Sequence, residues 1–455
     1  MRHEAHGKLG KLERLGELKK PSDYRPRRPI VVAAGQMAAR LMNESAATLD
    51  AIDWLIAEAQ RQGAELLVLP ECAYPAYLLG SVETYRTGDH LSSEQFVERL
   101  SRRARESGLY IVCGYVEDTG KALYNSAILL GPDGERSSGG QQLGNRCKSF
   151  LWGVDREWFT PGDNIKAFDT PLGRIGIAIC AEVRVPEVIA TLATDGAELI
   201  VVPTCWVNLS RQPGEFRNPQ PEFLIAARAR EFGVPFVCAD KTGIEMTMGY
   251  VGKSCIVDAD GFKLVQAPTR GDALIVSTVT PTQAKRAIAN DAQRARLLDE
   301  RPPISPTRTQ PTPIVLTAIP KELTDQKLQK QVRIETFTEA NAHHSFVAAR
   351  AAALDGAEVL AYLNFDGTEV NDLSTLQLLR TRAVENRVFV VGIGVDKGTN
   401  KSVIIGPDGA IIATGTNETN ETAAIATIDV AEASNKLVAP QTNVFAGRNP
   451  GIYRL

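Results

Sequence analysis

Cys180 is the residue whose type and position most directly suggest chemistry in this chain. It closes an apolar run, residues 173–180, whose length and β-branched content predict a buried strand. A polar stretch, residues 181–187, follows at once. A thiol at the carboxyl end of a strand, just before a helix, lies where α/β folds build reactive sites and where its pKa is lowered. The position therefore favours a nucleophilic cysteine.

Position alone does not separate a nucleophile from a structural cysteine. The chain has seven cysteines, and most lie in apolar runs, where a free cysteine is commonly a small buried hydrophobe. Their spacing is irregular and includes no Cys-x-x-Cys pair, so they do not resemble a disulfide framework. The catalytic interpretation therefore depends on partners elsewhere in the chain.

Two other segments supply candidate partners. Glu71 follows an apolar run that predicts a strand ending at Pro70, and Lys148 lies in the middle of residues 145–152. A carboxylate, an ammonium and a thiol at three strand ends could act as base, oxyanion stabiliser and nucleophile. A surface carboxylate and a solvated lysine are the alternatives for these two residues.

With these residues in view, the chain resembles the nitrilase superfamily of carbon–nitrogen hydrolases, whose triad is Glu, Lys and Cys. The resemblance covers about residues 29–306, and its landmarks occur in one order: residues 33–36, 69–71, 124–127, 131–134, 146–148, 159–162, 179–187, 228–231 and 252–261. It implies an α/β fold, the four-layer α-β-β-α sandwich, with the site at the strand ends. It also implies that Glu71, Lys148 and Cys180 form the triad.

Three positions depart from the family pattern. Phe150 stands where the family often has a histidine, and Asp155 stands where it usually has a second glutamate. Cys180 is followed by Ala181 and Glu182, where nitrilases tend to have Trp-Glu and many amidases Tyr-Asp or Tyr-Glu. The missing aromatic residue weakens a nitrile-specific interpretation. The resemblance gives Asp155 the role of orienting the charged members of the triad.

Three more residues are candidates for the substrate pocket. Arg184 either binds a substrate carboxylate or pairs with Glu182 or Glu187 as part of the structure. Trp206 falls where the family lines its pocket, and Tyr77 lies close to the triad glutamate in sequence. Each of these two aromatic residues could equally belong to the core.

The residue chemistry predicts hydrolysis of an amide or N-carbamoyl small molecule through a thioester. Glu71 would take the proton of Cys180, while Lys148 and the backbone N–H of Ala181 would stabilise the oxyanion. We expect no metal and no organic cofactor. An N-acyltransferase, in which an amine takes the acyl group, a nitrilase and a non-catalytic scaffold are the alternatives.

Alternating strands and helices must position these residues. Hydrophobic periodicity predicts strands at 29–35, 66–69 and 109–114 and helices at 43–63 and 93–107. Such alternation predicts a mixed or parallel sheet covered by helices.

Length and composition bound the remaining possibilities. At 455 residues the chain is long enough for two domains, and 44% hydrophobic with 23% charged residues is ordinary for a globular protein. A net charge of −3 does not favour a nucleic-acid partner, and no apolar run approaches the roughly 20 residues that span a bilayer. We expect a cytoplasmic enzyme with a small-molecule partner, and self-association stays open. Residues 1–28 are polar and rich in lysine and arginine, which predicts a basic arm, and they lack the apolar core of a secretory signal.

The last third of the chain repeats features of the first. Residues 195–200 recur at 355–360, and residues 228–234 are echoed at 382–388. The repeat predicts three parts: a catalytic domain at 29–301, a Pro-rich linker at 302–313 and a degenerate nitrilase-like half domain at 314–455.

The predicted half domain contains no cysteine. Ala340 falls where Cys180 stands if residues 355–360 are set on 195–200, and residues 63–66 are the alternative match. Neither alignment supplies a nucleophile. We expect this part to pack against the catalytic domain and shape the pocket entrance, with an independent interaction module as the alternative.

Overall fold

The structure is a computed structural model, and it describes residues 28–133, 140–210, 212–300, 304, 308, 310–339, 342–366, 373–396, 399–416 and 423–455. The predicted arm except for Arg28, most of the predicted linker, and Ala340 lie outside the described residues.

Residues 28–300, here called the N-terminal unit, contain fourteen strands and seven α-helices among the described residues. The strands are β1 (Ile30–Ala38), β2 (Leu66–Val68), β3 (Tyr110–Asp118), β4 (Leu123–Gly131), β5 (Gln141–Cys147), β6 (Ala167–Thr170), β7 (Gly173–Ile177), β8 (Leu199–Pro203), β9 (Phe236–Ala239), β10 (Lys241–Glu245), β11 (Met248–Val251), β12 (Cys255–Val257), β13 (Lys263–Gln266) and β14 (Ala273–Val279). The helices are α1 (Ser45–Arg61), α2 (Val82–Thr87), α3 (Ser93–Ser107), α4 (Asp155–Trp158), α5 (Pro186–Thr194), α6 (Ile225–Phe232) and α7 (Asp291–Leu297).

These strands form two sheets. The first has the order β11-β10-β1-β2-β3-β4-β5, with β14 paired to β1, and the second has the order β13-β12-β9-β8-β7-β6. In each sheet three neighbouring strands are parallel, β1-β2-β3 in the first and β7-β8-β9 in the second. The carboxyl ends of parallel strands meet at one edge of a sheet, which is where such folds place their sites.

The two sheets pack face to face and helices cover them. Val32 and Val68 of the first sheet share one core with Ile177 and Val201 of the second. Helices α1 and α3 form a separate core with the opposite face of the first sheet, and α5 and α6 pack on the second. The expected α/β class and four-layer α-β-β-α sandwich are confirmed for this unit.

Helix α3 shows how local sequence sets an element's limits. The Ser92 side chain caps the first turn by accepting a hydrogen bond from the backbone N–H of Gln95. Gly108 ends the helix at φ 72°, a left-handed conformation that glycine adopts without strain. The predicted range 93–107 therefore coincides with the helix.

Residues 310–455 are here called the C-terminal unit, and their described strands and helices are as follows. The strands are β15 (Pro313–Thr317), β16 (Ile334–Phe337), β17 (Val359–Asp366), β18 (Phe389–Asp396), β19 (Thr399–Ile405), β20 (Ile411–Thr416), β21 (Ile425–Asp429), β22 (Leu437–Ala439) and β23 (Thr442–Asn443). The helices are α8 (Pro320–Leu323), α9 (Gln326–Gln329), α10 (Phe346–Leu354), α11 (Leu373–Asn386) and α12 (Ala431–Ser434). One five-stranded sheet, β16-β17-β18-β19-β20, is accompanied by the two-stranded pairs β15-β21 and β22-β23.

The two units meet through helices that exchange buried ion pairs. Arg382 of α11 contacts Glu231 of α6 at 2.5 Å, and Arg228 of α6 contacts Glu385 of α11. All four side chains are at most 4% exposed. Breaking one partner of a buried pair leaves an uncompensated charge, so these contacts tie the helices closely together. The expectation that residues 314–455 pack against the N-terminal unit agrees with these contacts.

Among the described residues, every helix is too short or too polar to cross a lipid bilayer.

Candidate active site

Three strand ends bring Glu71, Lys148 and Cys180 to one buried place. Glu71 lies just after β2, Lys148 follows β5 directly, and Cys180 follows β7 at the start of a 3₁₀ turn. The first two strands belong to the first sheet and the third to the second sheet. The site therefore lies between the two sheets and requires both of them.

The carboxylate of Glu71 is fully buried, and only one of its two oxygens accepts hydrogen bonds. Its Oε1 accepts hydrogen bonds from Lys148 Nζ at 2.6 Å and from Asn125 Nδ2 at 2.7 Å. Its Oε2 is buried and has no hydrogen-bond partner. Burial raises the pKa of Glu71, although Lys148 opposes the shift. One oxygen is thus held in place while the other is free to take a proton.

Lys148 lies between two carboxylates. Its Nζ donates to Glu71 and also to Asp155 Oδ2 at 2.5 Å. Burial by itself would lower the pKa of Lys148, but Asp155 and Glu71 together raise it well above its usual value. The same Asp155 oxygen accepts from the backbone N–H of Trp152 at 2.8 Å, which fixes its orientation. The two carboxylates therefore favour the charged form of Lys148 and fix the position of its Nζ.

Cys180 has the strained backbone of a sharply turned strand end. Its φ is 48°, a left-handed value that non-glycine residues rarely adopt outside constrained sites. Its Sγ lies 3.7 Å from the carbonyl oxygen of Cys205. Burial, followed by the charge of Glu71, raises the pKa of the Cys180 thiol, while Lys148 pulls it down. The strand-end position predicts a lowered pKa, and the difference arises because burial disfavours the charged thiolate.

Glu182 joins the segments that carry Lys148 and Cys180. Its Oε1 accepts from Arg146 at 2.8 Å and from the backbone N–H of Ser149 at 2.7 Å, and its Oε2 accepts from the N–H of Ile179 at 2.8 Å. These bonds tie the loop after β5 to the end of β7. Ala181, beside it, is buried in the first turn after Cys180, where backbone N–H groups lack intrahelical partners.

Arg184 pairs with neither Glu182 nor Glu187. Glu182 is bound by Arg146, and Glu187 is bound by Arg350 and Arg448. Arg184 donates to the side-chain oxygen of Asn218 at 3.2 Å. Its guanidinium also lies over the ring of Trp152, 5.0 Å from the ring centre. Burial lowers the pKa of Arg184 to about 10, so it remains charged at neutral pH.

Trp206 and Tyr77 are both buried next to the triad. Trp206 is fully buried, and its backbone N–H donates to Asp240 at 2.7 Å. The Tyr77 backbone N–H donates to Glu245 at 2.6 Å, which holds the chain after Glu71. Burial raises the pKa of Tyr77 well above its usual value, and the charges of Asp155, Glu71 and Cys180 add to the shift.

Two residues of the site were missed in the sequence. Asn125 was noted only as part of a landmark, yet it holds the carboxylate of Glu71. A polar side chain near the start of the largely apolar strand β4 is the signal that could have marked it. Gln220 is the other: with its amide nitrogen toward the nucleophile, it donates to the carbonyl of Cys180 at 2.8 Å and accepts from Trp206 Nε1 at 3.0 Å. No local pattern marks Gln220, because its partners lie elsewhere in the chain.

The described residues include no group of three or more His, Cys, Asp or Glu side chains arranged to hold a metal ion.

The family model and the sequence relatives agree on one family. The family model of carbon–nitrogen hydrolases matches residues 31–289 and 342–435. A nitrilase from Pyrococcus abyssi is 33% identical over 204 residues, which cover 44% of this chain and 71% of the relative. An omega-amidase from Homo sapiens is 30% identical over 237 residues, which cover 49% of this chain and 79% of the relative. The solved structure of an amidase from Nesterenkonia sp. matches 57% of this chain and 93% of its own at 25% identity, with a TM-score of 0.49.

Proposed function

The chain belongs to the carbon–nitrogen hydrolase family of the nitrilase superfamily, and we propose that it hydrolyses a small amide or N-carbamoyl compound. As a member of this family it is an enzyme that acts on C–N bonds other than peptide bonds. Cys180 is the nucleophile, Glu71 the base and Lys148 the oxyanion stabiliser. The observation that carries the proposal is the buried, unpartnered Oε2 of Glu71, whose sister oxygen is held by Lys148. Such a carboxylate is placed to take a proton and not to make a structural bond.

The first step forms a thioester. Glu71 Oε2 takes the proton of the Cys180 thiol while the sulfur attacks the carbonyl carbon. The negative charge that develops on the carbonyl oxygen is stabilised by the Lys148 ammonium and the backbone N–H of Ala181. When the tetrahedral adduct collapses, the C–N bond breaks and the leaving nitrogen takes the proton from Glu71.

The second step returns the enzyme to its resting state. Water gives a proton to Glu71 and attacks the thioester carbonyl, where the same two donors stabilise the charge. The C–S bond then breaks, and the proton on Glu71 passes to the departing sulfur. Because the pKa of the resting thiol is raised, the reaction depends on the raised pKa of Glu71 to make that carboxylate a useful base near neutral pH.

Arg184 indicates what the acyl part of the substrate carries. Within the part of the chain that the structure describes, no carboxylate lies within ion-pair distance of this guanidinium, which is 3% exposed. A buried charge without a counter-ion is unfavourable, so an anionic ligand beside it gains affinity. We propose a substrate with a carboxylate that contacts Arg184, such as an ω-amide of a dicarboxylic acid, the class that the relatives' name omega-amidase denotes.

Intact-protein mass spectrometry with a panel of amides and N-carbamoyl amino acids tests the function. Wild type is compared with Cys180→Ala and with Cys147→Ala as the control, since Cys147 is the more exposed thiol. We expect turnover and any acyl adduct to need Cys180 but not Cys147. Adducts that survive Cys180→Ala would refute the assignment of the nucleophile.

A pair of substrates tests the role of Arg184. Each amide is offered with a free carboxylate or as its methyl ester, to the wild type and to Arg184→Met. We expect the carboxylate to raise kcat/KM on the order of 10-fold or more in the wild type and not in the variant, because only the wild type offers the charge. Equal discrimination by both proteins would reject the contact.

A further inference from the structure

The last twenty residues of the chain, 436–455, return to the N-terminal unit and are here called the tail. Tyr453 of the tail is buried in the main core of the N-terminal unit, and Val438, Ala439, Ile452 and Leu455 pack against that core. The tail therefore contacts the unit that carries the triad as well as its own unit, in whose core Val444 and Phe445 lie.

One tail contact reaches the loop between Lys148 and Asp155. The backbone N–H of Gly153 donates to Thr442 Oγ1 at 2.5 Å. Thr442 is fully buried, so its hydroxyl is held away from water. Gly153 itself is half-buried, so removing the Thr442 acceptor takes away the bond that fixes this N–H in one direction.

A second tail contact reaches the same loop. Gly447 lies so close to Phe150 that a Cβ placed on it would be 2.6 Å from Cε2 of that ring. Phe150 is 1% exposed and belongs to the main core. It also stands at a position where the family resemblance leads one to expect histidine. The departure from the family pattern thus coincides with a contact made by the tail.

The loop that receives these two contacts sets the charge of the site. It runs from Ser149 to Val154 and joins Lys148 to Asp155. The N–H of Trp152, one residue before Gly153, orients the Asp155 carboxylate that binds Lys148 Nζ. A shift of Gly153 therefore moves the backbone group that orients the lysine's partner.

The tail is also anchored to the helix that follows the nucleophile. Arg448 Nε donates to Glu187 Oε1 at 2.9 Å, and the backbone N–H of Arg454 donates to Thr191 Oγ1 at 3.0 Å. Both acceptors lie in α5, which follows the Cys180 turn. The tail thus contacts both the loop from Ser149 to Val154 and helix α5. These two segments adjoin Lys148 and Cys180, whose relative position the reaction depends on.

We propose that the tail is a positioning element of the active site, and that Thr442 is a positioning residue that acts on Lys148 through Gly153, Trp152 and Asp155. The C-terminal unit then contributes to catalysis without contributing a reacting group. This inference rests on the proposed function, because it assigns the tail a role in that same site.

The test compares Thr442→Val with Thr442→Ser in the full chain. Valine keeps the size of the side chain and removes the acceptor, and serine restores the acceptor. Thr381→Val is the matched control, since Thr381 is fully buried and its hydroxyl donates within its own helix, to the carbonyl of Gln377 at 2.8 Å. We expect Thr442→Val to lower kcat roughly 10- to 100-fold with little change in KM, because misplacing a catalytic group by a fraction of an ångström has effects of this size.

The pH profile separates positioning from a loss of folded protein. Lys148 lowers the pKa of Glu71, so a loosened Lys148 lets that pKa rise. The acid limb of kcat/KM should then move to higher pH in Thr442→Val, return with Thr442→Ser and stay in place in Thr381→Val. A smaller amount of folded enzyme would lower the rate without moving the limb.

A second pair of variants covers the case in which Thr442→Val does not fold. Gly447→Ala forces a clash with Phe150, and adding Phe150→Leu relieves it, so activity should fall in the first variant and recover in the double variant. Wild-type kcat and an unmoved acid limb in both Thr442→Val and Gly447→Ala would overturn the inference.

Failure of the proposed function is recognised separately. If the wild type turns over no panel member, the rate at which iodoacetamide alkylates Cys180, followed by intact mass, replaces turnover as the readout. Lys148 favours the thiolate, so Thr442→Val should be alkylated several-fold more slowly than wild type. Equal rates would again overturn the inference.

Discussion

The two units share a strand order but differ in what they can do. In the N-terminal unit β7-β8-β9-β12-β13 has three parallel strands followed by two antiparallel ones, and β16-β17-β18-β19-β20 repeats this pattern. A helix connects each parallel pair in both units, α5 and α6 in the first and α10 and α11 in the second. The first sheet of the N-terminal unit, β1-β2-β3-β4-β5, has the same pattern. The predicted half copy stays a prediction, and these three sheets support it.

The units also share interface charges. Arg228 and Glu231 lie three residues apart on α6, and Arg382 and Glu385 lie three apart on α11. Each arginine binds the glutamate of its own helix and that of the opposite helix. This reciprocal exchange is the pattern of a two-fold interface between like subunits, formed here within one chain.

The difference between the units is the number of facing sheets. Glu71 and Lys148 come from one sheet of the N-terminal unit, and Cys180 comes from the other. The described residues of the C-terminal unit form only one sheet of this size. A single sheet can be stable against α6 and α5 of its neighbour, but it cannot bring a nucleophile to face a base. In our proposal, the same supersecondary pattern supports catalysis in one unit and positioning in the other.

Removing the nucleophile should have the largest effect on this contrast. Cys180→Ala is expected to lower kcat/KM on the order of 10⁴-fold or more, because no thioester forms. Steady-state turnover of the best panel substrate measures it, with Cys205→Ala as the control for losing a neighbouring buried thiol. Residual activity above 1% would place the chemistry elsewhere.

Removing the base should have the next largest effect and should change the pH profile. Glu71→Gln keeps the shape of the side chain but cannot accept a proton, so kcat should fall roughly 10²- to 10⁴-fold. The pKa of Glu71 is raised above the ordinary glutamate pKa of about 4.3. As pH falls, the wild type should therefore lose activity already above that pH. The variant should lack this limb. A limb that persists in the variant would belong to another group.

Weakening the partner of the lysine should have a smaller effect. Asp155→Asn removes one of the two carboxylates that hold Lys148 Nζ, and we expect kcat to fall about 10- to 100-fold because the ammonium is less well oriented. Asp155→Glu keeps the charge and introduces the residue more usual in the family, so it should lose less. If the asparagine and glutamate variants lose equal activity, charge at this position is not what matters.

A change at the interface between the two units, Glu187→Gln, should have the smallest effect on catalysis. It should have a clear effect on the free energy of unfolding. Burial alone would raise the pKa of Glu187, but Arg350 and Arg448 bring it down to about 2. A lowered pKa stabilises the fold above the unfolded value of about 4.5, and this stabilisation is lost as pH falls through about 2. Glu187→Gln should therefore reduce the free energy of unfolding by about 3 kcal/mol at pH 7 and by much less at low pH.

Urea denaturation at several pH values measures the effect of Glu187→Gln. Glu106→Gln is the control, since Glu106 is 60% exposed and makes a surface ion pair worth little. A difference from wild type that does not depend on pH would contradict the role of the buried carboxylate.

Sequence patterns were sufficient for the elements that depend on short-range periodicity. The predicted helix at 43–63 corresponds to α1, and the predicted strand at 66–69 corresponds to β2. The predicted strand at 109–114 extends further, as β3, because its pairing with β4 continues to Asp118. Pairing partners decide where a strand ends, and they are not visible in the strand's own residues.

Sequence by itself determined the family and the α/β class. It also predicted the triad, because Glu71 and Cys180 each stand at the end of an apolar run and Lys148 lies in a segment that resembles the family. Tertiary structure alone decided which carboxylate oxygen of Glu71 has no hydrogen-bond partner. It also decided that Glu182 forms its ion pair with Arg146, and that Arg184 pairs with neither Glu182 nor Glu187. It also decided that Thr442 reaches a loop 289 residues away in the chain. The reason is physical: hydrogen bonds and burial depend on which atoms come within a few ångströms, and for these groups the partners come from distant segments.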